Sequence, residues 1–235
     1  MKLNHFNLPR IIDISCVRPG VGQNELEKMV LLAEEYSFIM CLALPYYTPF
    51  LISKLKDNPR VKVGCVAGFP SGGNTTGIKA LEAKEQIALG CTDIDMVVNI
   101  GELKSKHIEA VYEDIKAVVA AADGATVKAI LEVTLLDDDE IRFGAEAAVR
   151  AGAGFVKTGT GWTGIPTTVR HIELIRDTIG DAALIKAAGG VRTLDDIVDM
   201  TNAGCSRFGM GVGVIESLMH ELGERAPECR DIVIL

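Results

Sequence analysis

The chain has 235 residues, of which 48% are hydrophobic and only 5% aromatic, with 24 glycines and a formal net charge of −8. This length suits one large domain with a substantial core, and the composition is typical of an α/β protein with many tight turns. The negative charge is not offset by any Lys/Arg block, so extended contact with nucleic acid or an anionic membrane is opposed electrostatically. We expect a single domain over residues 1–235 whose partner is a small molecule.

The N-terminal segment and the cysteines indicate a reduced, cytoplasmic protein. Residues 1–6 lack the apolar core of a signal peptide, and no run approaches the roughly eighteen apolar residues that a membrane span needs. The six cysteines contain no C-x-x-C pair, and several lie inside apolar runs. They are interpreted as small core residues rather than as a disulfide framework: Cys16, Cys41, Cys65, Cys91, Cys205 and Cys229. Cys41 has an alternative role, as a residue that lines a cavity at the end of its strand.

Eight short apolar runs recur at intervals of about 23 to 33 residues, and helical periodicity fills several of the gaps between them. Glycines follow the helical segments, as expected near helix C-termini. Strand and helix repeated eight times predict a single (β/α)8 barrel. An open doubly wound sheet is the alternative, but the eighth run is as strong as the others and no G-x-G-x-x-G motif opens the first unit. The predicted strands are 11–17, 38–44, 61–67, 94–100, 127–133, 154–157, 183–187 and 207–211.

Two lysines, Lys157 and Lys186, lie near the ends of consecutive apolar runs. Burying an unpaired ammonium beside Val and Ile is costly, so both head groups are expected to reach a cavity. Neighbouring parallel strands are about 4.8 Å apart, and two cations in one confined mouth lower each other's proton affinity. A lysine whose pKa falls below its ordinary value of about 10.4 carries more free amine, which attacks carbonyls to form Schiff bases. The pair therefore predicts amine catalysis.

Other polar residues lie where the active site of a barrel is found, at the C-terminal ends of the strands. Lys128 and Glu132 are four residues apart on one predicted strand, so they share a face and are expected to form an ion pair or to support the site. Three glycine-rich turns, at 158–161, 188–192 and 209–213, let the backbone approach a ligand and suit an anion. Their candidate residues are Thr158, Gly161, Gly189, Gly190, Arg192, Gly209 and Gly211.

Metal catalysis has little support in the sequence. The four histidines fall in the N-terminal arm or in helical segments and form no ligand pair at H-x-H or H-E-x-x-H spacing. No G-x-S-x-G motif for a serine nucleophile is present. We expect no metal and no cofactor.

The chain resembles the deoxyribose-phosphate aldolase family of class I aldolases over nearly its whole length. The stretches that carry the resemblance are Glu132 with its strand, DIDMVVNIG at 93–101, GFVKTGTG at 154–161 and KAAGGVRT at 186–193. The resemblance implies that Lys157 forms a Schiff base with acetaldehyde, that Lys186 lowers the pKa of Lys157, and that Asp95 shuttles protons through water. It further implies supporting roles for Asp13 and Lys128. The implied reaction is the reversible cleavage of 2-deoxyribose 5-phosphate into acetaldehyde and glyceraldehyde 3-phosphate.

The chain departs from the family pattern at three places. Gly159 replaces a usual serine, Gly211 and Val212 replace a Ser-Ser pair, and the first strand reads DISCVRP instead of the more usual DHTLLKP. The first two departures remove hydroxyls expected to bind the substrate phosphate, and backbone amides with Arg192 are left to do so.

These departures keep several alternatives open. One is a related Schiff-base aldolase with a different or unphosphorylated aldehyde substrate, and another is a sugar-phosphate-binding barrel without turnover. An isomerase or epimerase of the same fold would need a carboxylate base or metal ligands at the strand ends. Whether the protein is a homo-oligomer is also open.

Overall fold

Eight parallel strands close into a barrel in the computed structural model, which describes residues 2–4, 6–225 and 232–233. Each strand pairs with the next along the chain, and the eighth pairs with the first. The predicted (β/α)8 barrel is therefore confirmed over the open sheet. The strands are β1 (Ile12–Cys16), β2 (Met40–Ala43), β3 (Lys62–Ala67), β4 (Asp93–Val97), β5 (Thr126–Ile130), β6 (Phe155–Lys157), β7 (Leu184–Ala188) and β8 (Arg207–Gly211).

Helices follow the barrel strands, as in other barrels of this class. A two-residue strand at Lys2–Leu3 also pairs antiparallel with Ile232–Val233. None of the helices within the described ranges has the length and apolar character needed to cross a membrane. The α-helices are α1 (Gln23–Tyr36), α2 (Thr48–Leu55), α3 (Thr76–Leu89), α4 (Ile100–Lys104), α5 (Ile108–Ala121), α6 (Asp138–Arg150), α7 (Val169–Ile179), α8 (Leu194–Asn202) and α9 (Val212–Arg225).

Local signals explain where the elements begin and end. Asp137 and Glu140 form a reciprocal capping box at the start of α6, with hydrogen bonds of 2.8 and 2.9 Å. Gly90 ends α3 with a φ of 110°, a conformation that side chains with a Cβ rarely adopt.

Two strands, β4 and β5, end three residues before the apolar runs predicted for them. β4 ends at Val97 because Asn99 caps α4, its side chain accepting a hydrogen bond from the backbone N of Glu102 at 3.2 Å. β5 ends at Ile130, and Glu132 beyond it adopts a left-handed conformation with a φ of 61°.

The main apolar core fills the layer between the barrel and the helices. The inside of the barrel holds a smaller apolar cluster of Met40, Leu42 and Val66 together with buried charged side chains. The five cysteines in the described part of the chain are buried free thiols, while Cys229 lies outside the described residues. The charged interior, rather than the apolar layer, is what positions the site.

Candidate active site

A cavity of about 360 Å³ opens at the C-terminal ends of the strands. Its walls come from β1, β2, β6, β7 and β8 and from the loops that follow them. Asp13, Lys157 and Lys186 line it, and each is at most 4% exposed. The cavity therefore presents charged groups from which bulk water is largely excluded.

Lys157 and Lys186 are register partners on β6 and β7. Both ammonium groups contact the same oxygen of Asp95: Lys157 Nζ lies 2.7 Å and Lys186 Nζ 2.6 Å from Oδ2. Asp95 itself is fully buried and does not line the cavity. A proton passing between Asp95 and a bound molecule must therefore pass through one of the two lysines or through a water.

Beneath this group, Lys128 contacts two carboxylates on β4. Its Nζ donates to Asp93 Oδ1 at 2.6 Å and lies 3.2 Å from Asp95 Oδ1. The second contact is an ion pair without hydrogen-bond alignment, so Asp95 Oδ1 has no hydrogen-bond donor within the described part of the chain. Asp95 therefore keeps an acceptor free while all three lysines hold it ionised.

The other side of the network is built on Asp13 of β1. Its Oδ2 accepts a hydrogen bond from Lys186 Nζ at 2.5 Å, and its Oδ1 accepts one from Arg207 Nη1 at 3.1 Å. The Arg207 guanidinium and the Lys128 ammonium each lie 5.7 Å from the centre of the Phe155 ring. The lysines, the aspartates and Arg207 thus form one connected network across the barrel.

This network contains one more cation than it can balance. Three carboxylates offset three cations, and burying a fourth without a counter-charge is costly. The cations are Lys128, Lys157, Lys186 and Arg207, and the carboxylates are Asp13, Asp93 and Asp95. The network is neutral when one of its lysines is a free amine.

The pKa shifts identify Lys157 as that lysine. Burial lowers the pKa of Lys157 to about 8, with Asp95 opposing and Lys186 reinforcing the shift. Burial also disfavours charge on Lys128, but Asp95, Asp13 and Asp93 outweigh it and raise its pKa. Burial favours the protonated form of Asp95, yet Lys157, Lys186 and Lys128 hold its pKa well below the usual range. Desolvation is thus the largest cause of the Lys157 shift, and repulsion by Lys186 is a smaller one.

Such a shift has a large effect on the population of free amine. A fall from the ordinary lysine value of 10.5 to about 8 raises the free-amine fraction near neutral pH by a few hundredfold, since each pKa unit is a factor of ten. Lys157 thereby becomes a nucleophile that the cavity exposes to a ligand.

The glycine turns form one rim of the cavity. Gly161 and Gly189 have φ values of 78° and 86°, and a Cβ on Gly189 would lie 3.1 Å from the Gly161 Cα. Only glycine permits so close an approach of two backbones at these angles. Arg192, on the loop after β7, is exposed and also lines the cavity. The remaining predicted glycines that line it are Gly190, Gly209 and Gly211.

Arg18, which was not among the residues predicted from the sequence, belongs to the same rim. Its Nη2 donates to the Gly161 carbonyl, and its guanidinium lies 5.8 Å from the centre of the Trp162 ring. Neither Arg18 nor Arg192 has an ion-pair partner among the described residues. The only signal for Arg18 in the sequence was its place in DISCVRP, directly after the predicted first strand. Glu25 of α1 also lines the cavity.

Besides Asp95 and Lys128, the candidates Thr158 and Cys41 do not line the cavity, and neither does Gly159. The Thr158 hydroxyl accepts from Ala188 N and contacts Ala188 O, both at 3.0 Å, so it ties β6 to β7. Cys41 packs in the outer core, where burial raises the pKa of its thiol, and Leu42 lines the cavity in its place. A Cβ on Gly159 would lie 2.7 Å from Glu132 Oε1, so a serine there would not point at the cavity.

The expected pair of Lys128 with Glu132 is wrong, because Glu132 lies beyond the end of β5 instead of on it. Its carboxylate accepts from Thr160 N at 3.2 Å and from the Thr160 hydroxyl. Glu132 therefore holds the turn that follows Lys157, and Lys128 pairs with Asp93 and Asp95 instead.

Comparison with known proteins agrees with this architecture. A deoxyribose-phosphate aldolase of Halalkalibacterium halodurans is 42% identical over 209 residues, which cover 88% of this chain and 93% of that protein. A solved structure named QR15, an aldolase, has a TM-score of 0.85 at 32% identity and covers 94% of this chain and 97% of its own. The tetrameric deoxyribose phosphate aldolase from Aeropyrum pernix has a TM-score of 0.84 at 29% identity, and the match covers 95% of this chain and 93% of that chain.

A family model described as DeoC/LacD family aldolase matches residues 16–215, a span that includes both cavity lysines and Asp95. This match covers most of the barrel and the whole buried network except Asp13. The chain belongs to the DeoC/LacD family of aldolases.

Proposed function

We propose that the protein is a class I aldolase that reversibly cleaves 2-deoxy-D-ribose 5-phosphate into acetaldehyde and D-glyceraldehyde 3-phosphate through a Schiff base on Lys157. The observation that carries the proposal is a lysine that faces a cavity while burial lowers its pKa to about 8. Relatives named for this activity, such as the one 42% identical, support the choice of substrate.

The chemistry begins at the aldehyde carbon of the open-chain sugar. The free amine of Lys157 adds to C1, water leaves, and the protonated imine becomes an electron sink. The C3 hydroxyl then loses its proton, the C2–C3 bond breaks, and its electron pair forms the enamine as glyceraldehyde 3-phosphate departs. Protonation of C2 and hydrolysis of the imine release acetaldehyde and restore the amine.

Lys186 and Asp95 are proposed to move the protons. Lys186 lines the cavity and shares Asp95 Oδ2 with Lys157, so it connects the bound sugar to the buried carboxylate. Asp13 holds Lys186 from the other side at 2.5 Å. This arrangement offers a general acid and base while Asp95 itself stays out of the cavity.

The phosphate is proposed to bind at the glycine rim. Gly211 and Val212 line the cavity and supply no hydroxyl there, so recognition falls to backbone amides with Arg18 and Arg192. An altered or unphosphorylated aldehyde substrate is the second candidate, and these same two positions favour it. We also propose that the protein is cytoplasmic and forms a homo-oligomer. The tetramer named for the Aeropyrum pernix relative supports the homo-oligomer.

Trapping with acetaldehyde tests the nucleophile. Incubation with acetaldehyde and borohydride should leave a reduced two-carbon adduct on Lys157, read by peptide mass mapping. Lys157→Met should abolish the adduct. Lys116→Met, which removes an exposed amine on α5, should leave it unchanged. An adduct on Lys186 alone, or none at all, would contradict the assignment.

Removal of the second cation tests the lysine pair. In Lys186→Leu the three carboxylates face Lys128, Arg207 and Lys157, so the network is neutral only when Lys157 is protonated. The pKa of Lys157 should therefore rise from about 8, with activity lost by tenfold or more at neutral pH and partly recovered toward about pH 10. Full activity with an unchanged pH profile would show that the pair does not set the reactivity.

Arg18 tests phosphate recognition. A hydrogen bond to a charged group contributes about 1.5 to 3 kcal/mol, so Arg18→Met should lower the ratio of kcat/KM for deoxyribose 5-phosphate over deoxyribose by about ten- to hundredfold. Arg18→Lys should retain part of the preference. Glu25→Gln removes a carboxylate from the same wall and should raise the ratio or leave it unchanged. An unaltered ratio in Arg18→Met would remove Arg18 from the phosphate site.

A further inference from the structure

Arg207 is a member of the buried network that lies outside the cavity. It is the first residue of β8, its side chain is 13% exposed, and it does not line the cavity. Its Nη1 contacts Asp13 Oδ1 at 3.1 Å, while Lys186 takes the other oxygen of the same carboxylate. Asp13 therefore divides its single charge between a lysine at the cavity and an arginine below it.

The charge of Arg207 completes the balance of the network. With it present, three cations match three carboxylates when Lys157 is a free amine. Without it, one carboxylate charge is left over, and protonation of Lys157 restores neutrality. The side chain that decides this balance touches neither the cavity nor any bound molecule.

We propose that Arg207 is a positioning residue for the Lys157 amine: by pairing with Asp13 it removes the negative charge that would otherwise hold Lys157 protonated. The proposal rests on the proposed function only for its catalytic consequence, because the charge balance itself is a property of the apo protein. It extends the site to a residue that acts through Asp13 and Lys186.

Other groups facing these side chains do not replace Arg207. Around Lys157 the network supplies Asp13 from β1, Asp95 from β4, Lys128 from β5 and Lys186 from β7, whereas β2 and β3 contribute the apolar Met40, Leu42 and Val66. A further cation that interacts electrostatically with Arg207 is Arg10, which donates to the carbonyls of Ser37 and Arg60, each at 2.8 Å. Arg10 has no contact with Asp13 among the described residues and cannot take over the pairing.

The test is the pH dependence of Lys157 reactivity in Arg207→Met and Arg207→Lys. The rate at which an amine-reactive aryl reagent labels Lys157, read by peptide mass mapping, reports the free amine whether or not the protein is an aldolase. A unit charge about 10 Å away at an effective dielectric constant of about 20 shifts a pKa by roughly one unit. The labelling midpoint should therefore rise by about one pH unit in Arg207→Met and stay near the wild-type value in Arg207→Lys.

A second variant separates charge balance from structural support. Adding Asp13→Asn to Arg207→Met removes the surplus carboxylate, so the midpoint should return toward that of the wild type. Arg207→Gln serves as the single variant if Arg207→Met does not fold. An unchanged midpoint in the folded single variant, or a uniform loss of labelling at every pH, would overturn the proposal. Absence of an acetaldehyde adduct with the midpoints behaving as expected would instead refute only the aldolase function.

Discussion

The structure depends on a shortage of negative charge inside the barrel. Four cationic side chains contact three carboxylates where water solvates an unmatched charge poorly, so loss of the proton from one lysine is favoured. Burial is the largest cause of the Lys157 shift, and it lowers the pKa of Lys157 to about 8. Reactivity is therefore a consequence of the whole network rather than of one neighbouring lysine.

Barrel closure is what makes such a network possible. Asp13 and Arg207 are 194 residues apart along the chain, yet they are brought into contact because β8 pairs with β1. Asp95 reaches both cavity lysines across the barrel from β4. An open sheet would leave its first and last strands on opposite edges and could not share the Asp13 carboxylate between β7 and β8.

Residues at the two ends of the strands have different roles. Residues near the N-terminal ends, including Arg207 and Asp93, balance charge away from solvent, and residues at the C-terminal ends face the cavity. The loops beyond add Glu132, which holds the turn after Lys157, and Arg18, which contacts the glycine rim. The N-terminal ends of the strands thus balance the buried charges, and the C-terminal ends face the cavity in which a ligand would bind.

Much of this could be predicted from the sequence, and the failures have a common cause. The eightfold strand and helix pattern, the paired lysines and the glycine turns are local signals, and the structure places the lysines and most of those glycines at one cavity. The interpretation of Cys41 as a core residue is confirmed, and its alternative role as a cavity-lining residue is not. Thr158 was misplaced because the sequence of a turn after a strand does not reveal which side chains face the cavity. Arg207 and Asp93 were missed because their partners are far away in sequence and only strand register brings them together.

The most direct test of the account is a titration of Lys157 itself in the unliganded protein. The ¹³Cε resonance of Lys157 in lysine-labelled protein, assigned by its loss in Lys157→Arg, should titrate with a midpoint near 8. A midpoint above 10, the ordinary range for lysine, would contradict the claim that the buried network lowers the pKa of Lys157 and enlarges its free-amine population.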